Sequence, residues 1–337
     1  MGAVVSLSAL KGSQMSDLFN SIDARTRLAG TNKLEILLFA LGLDNRTGRR
    51  ETFGINVFKV REVMRTPPIT SAPDMTPAVK GMVSLRGALV PVVDLADYIG
   101  MQPESPRDIM IVTEYNGKTQ GFLVESVDTI LRLDWAQMRV PPQMLTSNLG
   151  GLVTAVTELP DERLVMMLDV ERVLAETAKE DDDIIFNGIE PLERQDRTIL
   201  FADDSSVARG QIERTLAVLG VKHISAVNGR AAWDELQRIA TLAETTGKPV
   251  KDYVQLVLTD VEMPEMDGYL LTKKIKADPR FAGIPIIMHS SLSSMSNEQL
   301  GRSVGVDEYV PKFEPHRLAE TLGRLLGDRK VAAATAN

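Results

Sequence analysis

One segment of the chain is written twice. "TFGINVFKVREVMR" (residues 52–65) aligns without a gap on "TQGFLVESVDTILR" (residues 119–132), sharing Thr, Gly, two Val and the final Arg at the same spacing. Farther on, "LVPVVDL" from Leu89 is answered by "LVMMLDV" from Leu164. The first offset is 119 − 52 = 67 residues and the second 164 − 89 = 75, so the order is kept while one loop has changed length. A duplicated unit constrains the fold, because whatever the first copy builds the second must build again. Each copy opens on an apolar stretch of strand character, "LEILLFAL" and "DIMIVTEY". Residues 33–177 therefore read as two small β subdomains, each curling into a barrel to close part of its edge.

The pattern changes after "AKEDDDIIFNGIEPLERQDR", which holds seven acids in twenty residues, interrupted by Gly188 and Pro191. Residues 178–196 read as a solvated acidic linker. From residue 197 to 328, apolar strands alternate with helical patterns, as in a parallel α/β sheet. Residues 1–32 precede the first strand, with Met15, Leu18, Phe19 and Ile22 at the spacing of a short amphipathic helix, and residues 329–337 form a tail. The chain has no cysteine, so thiol catalysis, disulfides and thiolate metal sites are excluded. A net charge of −8 without a block of Lys and Arg speaks against a nucleic-acid surface. No apolar run has the length of a membrane helix, and a cytoplasmic protein is expected.

Within the first copy, "KGMVSLRGALVPVVDL" places Arg86-Gly87 between two apolar strands. Glycine permits a tight turn, and an exposed arginine on a rigid turn suits contact with a partner. The segments "LLFAL", "FGINVFKVREV", "VKGMVSLRGALVPVVDL", "GFLVESVDTIL" and "LVMMLDVERVLAE" together resemble the CheW-type coupling domain of bacterial chemotaxis. That resemblance implies paired five-stranded, SH3-like barrels that link chemoreceptors to a histidine kinase. It also implies partner binding by Arg86, although Ser84 stands where the family's N-L-R-G signature has Asn.

The α/β part carries acids at its strand ends. "TILFADDSS" closes a strand on Asp203-Asp204 and opens a helix capped by Ser205, and "LVLTDVEMPEMDG" delivers Asp260 to the end of another. In a parallel sheet these ends meet at one edge, the usual ligand site of such folds. Three carboxylates there repel one another, and hard oxygen ligands of this kind suit Mg²⁺. "IPIIMHSS" adds Ser290, able to hydrogen-bond an anionic oxygen, and "VDEYVPKFEP" adds Lys312, a compact cation for a phosphoryl group. Metal on one side and Lys312 on the other leave Asp260 free to attack phosphorus.

This set is similar to the receiver domain of two-component response regulators, which is a flavodoxin-like, five-stranded α/β fold. The resemblance implies Asp203 and Asp204 as the acidic metal pair and Asp260 as phosphoacceptor and metal ligand. It likewise implies the backbone carbonyl of Glu262 as a further ligand, Ser290 and Lys312 as phosphoryl-binding residues, and Tyr309 as the aromatic switch. Receivers carry Lys-Pro after the fifth strand, whereas here Phe313 follows Lys312. A cis bond at that non-proline position would cost about 2.5–4 kcal/mol, which leaves the local backbone open.

The order coupling domain, acidic linker, receiver resembles the CheV type of chemotaxis coupling protein. The expectation is an adaptor rather than an enzyme, which docks on chemoreceptor cytoplasmic domains in membrane-associated arrays and on their kinase. The kinase would also be its phosphodonor. Two alternatives remain at this point: a phosphate sink for the kinase, and a Mg²⁺-dependent phosphatase with an aspartyl nucleophile. The latter would need a D-x-D motif, whereas here Val261 and Glu262 follow Asp260 with no adjoining Thr.

Overall fold

A computed structural model describes residues 33–45, 47–71, 77–115, 118–141, 152–178, 185–291 and 295–327. The expected N-terminal amphipathic helix and the tail lie outside these residues. Two compact units are formed, Lys33–Ala178 and the chain from Lys179 onward.

The first unit runs β1 (Lys33–Ala40), β2 (Leu43–Asp44), β3 (Thr52–Asn56), β4 (Val60–Arg65), β5 (Val79–Leu85), β6 (Ala88–Asp94), α1 (Leu95–Ile99), β7 (Met101–Gln102), β8 (Ile109–Tyr115), β9 (Lys118–Val124), β10 (Ser126–Asp134), β11 (Val153–Glu158), β12 (Leu164–Leu168) and α2 (Val170–Ala178). Two five-stranded sheets result, ordered β10-β1-β3-β12-β11 and β4-β8-β9-β6-β5. Strand β1 is buried on both faces, as its unbroken apolar sequence requires. Leu34, Ile36 and Leu38 pack with Trp135, Val165 and Met167, while Leu37 and Phe39 join Phe53, Ile111 and Phe122 in a cluster shared by the two sheets.

The duplication is present, but the repeat copy is not the subdomain. Strands β3 and β4 of the first copy lie in different sheets, as do their counterparts β9 and β10 of the second. The parallel pairings cross between copies: β3 pairs with β12 and β9 with β6, so Gly54 faces Met167 and Gly121 faces Val92 at equivalent positions. Each copy thus donates strands to both sheets. The repeated Asp at the end of "LVPVVDL" and "LVMMLD" is explained too. Asp94 Oδ1 accepts the Asp97 N–H at the start of α1, and Asp169 Oδ1 accepts the Arg172 N–H at the start of α2.

The second unit alternates β13 (Thr198–Ala202), α3 (Ser206–Leu219), β14 (Lys222–Ala226), α4 (Gly229–Thr246), β15 (Leu256–Thr259), α5 (Gly268–Ala277), β16 (Ile286–Ser290), α6 (Met295–Val304), β17 (Glu308–Pro311) and α7 (Pro315–Leu325). Its sheet is parallel throughout, in the order β14-β13-β15-β16-β17. Alternate residues of β13 serve opposite faces, as the two-residue period of a strand demands. Ile199 and Phe201 pack with Ile212, Leu216, Leu318 and Leu322, whereas Leu200 and Ala202 pack with residues of α4 and α5.

The acidic stretch 178–196 is not solvated throughout. Of its described part, Leu192 is buried in the cluster between β13, α3 and α7, and its N–H donates to the Leu219 carbonyl at 3.0 Å. Net acidity hides this, because among the described residues of the stretch it is Ile189 and Leu192 that join this cluster.

Candidate functional site

Strands β13, β15, β16 and β17 end side by side, and each hands a polar residue to the carboxyl edge of the sheet. Asp203 and Asp204 follow β13, Asp260 follows β15, Ser290 ends β16, and Lys312 follows β17. Carboxylate oxygens of Asp203, Asp204 and Asp260 lie within 4.8 Å of one another. Asp203 is 0% and Asp260 3% exposed, while Asp204 is half-buried. Lys312, 1% exposed, sends its Nζ between the two buried acids, 2.9 Å from Asp203 Oδ2 and 2.9 Å from Asp260 Oδ2.

Local sequence explains how each acid is held. Ser205 donates its N–H to Asp203 Oδ1 at 2.9 Å, and its side chain caps α3 by accepting the Ala208 N–H. Asp260 receives the Val261 N–H on Oδ1 at 2.6 Å, and its own N–H donates to the Ala202 carbonyl at 2.8 Å, which ties β15 to β13 beside the site. The "DG" of the motif has two separate tasks. Asp267 caps α5 through the Leu270 N–H, and Gly268 lets that helix approach, since a Cβ there would stand 2.0 Å from the Asp260 carbonyl oxygen. The Lys312–Phe313 bond is trans, and Phe313 takes a left-handed φ of 62° where receivers carry proline.

Charge decides what the cluster accepts. Three carboxylates and one ammonium leave a formal charge of −2, all on hard oxygen atoms at least half-buried, which fits a divalent cation such as Mg²⁺. Glu262, two residues beyond Asp260, is 7% exposed and sits on the same loop.

Ser290 is buried at 1% exposure, and its carbonyl accepts the Lys312 N–H at 3.2 Å. Tyr309 is half-buried on β17. Beside it stands Tyr269 on α5, which sequence reasoning missed. Burial, then the neighbouring Tyr309, Asp267, Glu262 and Asp260, raise its hydroxyl well above the usual tyrosine range, so it stays protonated. Arg209 was missed as well. Helical side chains tilt toward the N-terminus, and from the first turn of α3 its Nη1 reaches back to the carbonyls of Asp203 and Asp204, both at 2.9 Å. A basic residue in a first helical turn runs against the macrodipole, and that was the available signal.

Arg86 belongs to the other unit. Ser84 faces Leu89 and Leu85 faces Ala88, so Arg86-Gly87 forms a two-residue hairpin turn with φ of 52° and 86°. Both angles are positive, as the twist of a hairpin prefers, and the first falls on a residue that favours it poorly. The Arg86 side chain is 71% exposed and pairs with Glu62 Oε2 at 3.0 Å. Both line a cleft of about 90 Å³ floored by Leu85, Val90 and Val112, next to Leu89, which is 73% exposed.

Residues 37–178 match the CheW-like domain family and residues 199–322 the response regulator receiver domain family. The chain is 30% identical over 301 residues to the chemotaxis protein CheV3 of Helicobacter pylori, covering 88% of this chain and 95% of that one. It is 28% identical over 333 residues to CheV1 of the same organism, covering 93% and 99%. It is also 36% identical over 131 residues to the Helicobacter pylori chemotaxis protein CheY1, covering 38% of this chain and 96% of the other.

Proposed function

Because the chain belongs to the CheV family of chemotaxis proteins, a CheW-like coupling adaptor regulated by phosphorylation of its receiver, we propose that Asp260 is the phosphoacceptor. The observation that carries this reading is the buried bridge of Lys312 to Asp203 and Asp260. A lysine enclosed between two acids at a sheet edge is costly to build. It is useful where a new dianion must find a counter-charge.

Asp203, Asp204, Asp260 and the Glu262 carbonyl would hold Mg²⁺, which neutralises charge on the incoming phosphoryl group when bound. An oxygen of Asp260 bonds to phosphorus as the bond to the kinase's phosphohistidine nitrogen breaks, and the imidazole leaves with the electron pair. Lys312 follows the new charge, and Ser290 donates its hydroxyl to a phosphoryl oxygen. Tyr309 moves inward as the β16 and β17 ends draw together, which alters the face of the receiver. Turnover as a phosphatase is not favoured, since position 262, two after Asp260, holds Glu where a D-x-D pattern has Asp.

The first unit supplies docking. Arg86 pays a conformational penalty of about 1 kcal/mol for its left-handed φ, and a glycine or asparagine would serve the turn better. That cost, borne at an exposed turn, supports a role in contact with the receptor or the kinase. These partners sit at receptor arrays, and among the described residues no helix is long and apolar enough to cross a membrane. Phosphorylated kinase should label the parent chain and leave Asp260→Asn unlabelled. Equal labelling of the two would remove the assignment.

A further inference from the structure

Between the two matched families, the chain is not idle. Phe186 is half-buried, with the guanidinium carbon of Arg214 on α3 held 4.9 Å from its ring centroid. The chain then turns at Gly188, whose φ of 86° is one that glycine adopts freely. A Cβ at Gly188 would stand 3.8 Å from His316 Cε1, so this turn lies against the first turn of α7. Ile189 and Leu192 enter the cluster that contains Leu216 and Leu219 of α3 and Leu318 and Leu322 of α7. The Leu192 N–H satisfies the last carbonyl of α3, at 3.0 Å from Leu219 O. Ring, turn, apolar pair and backbone bond are independent contacts, and all fall on the same two helices.

Those helices are wired to the site. Val310, two residues before Lys312, belongs to the same cluster as Leu192, and α7 begins three residues after Lys312. We propose that residues 186–192 are a strap whose hold on α3 and α7 is set by the phosphorylation state of Asp260. Phosphoryl uptake releases it and adds the freed residues to the connection that leads from the coupling domain. The proposal rests on the reading of Asp260 as phosphoacceptor.

The physical course is short. In the unmodified site the Lys312 ammonium is held by Asp203 and Asp260. A phosphoryl dianion on Asp260 is a stronger partner, and Lys312 turns toward it. Lys312 is flanked by Val310 and by the Phe313 corner that starts α7, so its displacement is passed to His316 and Leu318. Close-packed elements shift between discrete arrangements and do not stretch. The strap fits the present one, where Gly188 lies against His316 and Leu192 shares a cluster with Leu318, and it loses that fit when α7 moves.

Hydrogen exchange on the full chain in Mg²⁺, with and without beryllofluoride, tests this at two stretches, 186–192 and 257–263. The expected result is slower exchange near Asp260 and exchange at least about fivefold faster around Leu192, the lower end of usual site-to-site coupling. A response near Asp260 with unchanged protection at 186–192 overturns the strap and leaves the site standing. Silence at both stretches overturns both, beginning with the assignment of Asp260. Coupling is reciprocal, so Phe186→Ala, which loosens the strap from the half-buried end and leaves the core intact, should bind beryllofluoride a few-fold more tightly. Affinity equal to the parent's would overturn the strap by an independent route.

Discussion

Neutralising Asp260 should make the receiver more stable without metal and less stable than the parent with it. At an effective dielectric of about 20, charges 4.8 Å apart repel by ~3.5 kcal/mol, and an ion pair at 2.9 Å attracts by ~6 kcal/mol. Asp260→Asn removes two repulsions, from Asp203 and Asp204, and one attraction, to Lys312. The repulsions win by about 1 kcal/mol, on the order of a few degrees in Tm for a unit of this size. The 4.8 Å limit makes each repulsion a floor, while screening of half-exposed Asp204 works the other way. The amide still accepts the Val261 N–H, and Lys312, which loses its bond to Asp260 Oδ2, keeps Asp203 Oδ2 at 2.9 Å. Magnesium then reverses the order, because at ten times its Kd it adds about 1.4 kcal/mol to a fold that binds it, and the variant has lost a ligand. The assay is thermal melting of the full chain and of Asp260→Asn in EDTA and across a Mg²⁺ titration, following the metal-sensitive transition. If Asp260→Asn melts below the parent in EDTA, or if Mg²⁺ lifts both equally, the electrostatic account of the cluster is wrong.

Gly268→Ala should cost about 3 kcal/mol in urea unfolding and abolish phosphoryl uptake, because its Cβ would meet the Asp260 carbonyl at 2.0 Å. Arg86→Gly should leave the coupling unit as stable or raise its Tm slightly by relieving the left-handed turn, while binding to receptor and kinase falls; Arg86→Glu should weaken binding further at an unchanged fold. Either variant binding like the parent in a pull-down would return the arginine to a solubilising role. Acid should weaken the coupling unit. Burial works against the charged forms of Asp97 and Glu176, yet hydrogen bonds from Lys80 and Arg107 to the first, and from Tyr98 and Arg172 to the second, hold both carboxyls below their ordinary values. Groups depressed on folding stabilise above the unfolded value and lose that contribution as pH falls, here from about pH 4.5 downward. A denaturant midpoint flat from pH 6 to 3 would contradict the sign.

The receiver site was legible because each of its groups has a local signature: an apolar strand followed at once by an acid, a hydroxyl or a lysine. Parallel topology then does the assembling, and no long-range knowledge is needed to bring Asp203, Asp260 and Lys312 together. What the pattern could not carry is orientation. Nothing in "SSVARG" says that Arg209 reaches back to two carbonyls, and nothing in "DGYLL" says that Tyr269 turns inward among acids. The stretch 178–196 misled for another reason. Seven acids dominate its composition, whereas its contact is made by a few apolar side chains and one backbone bond at Leu192. Turn chemistry at Arg86-Gly87 was visible, but the pairing with Glu62 depends on how β4 and the β5–β6 hairpin, at opposite ends of their sheet's strand order, come together, which no single-strand pattern fixes.

The repeat shows the same limit at larger scale, and its resolution bears on regulation. Two copies in a row invite the picture of two independent barrels, one per copy. The pairings refuse it: β3 lies parallel to β12 and β9 to β6, so every copy supplies strands to both sheets. Equivalent glycines make room for neighbouring methionines: a Cβ at Gly54 would come 2.8 Å from Met167 Sδ on β12, and one at Gly121 2.5 Å from Met110 Sδ on β8. A shared cluster running through Phe39, Phe53, Ile111 and Phe122 then joins the sheets face to face. Pulling one copy from the other would break strand pairs in both sheets and open that cluster, so the boundary between copies is not a soft seam. If Asp260 is the phosphoacceptor as proposed, its control is expected to work through what the receiver side presents and how freely the chain between the units can move.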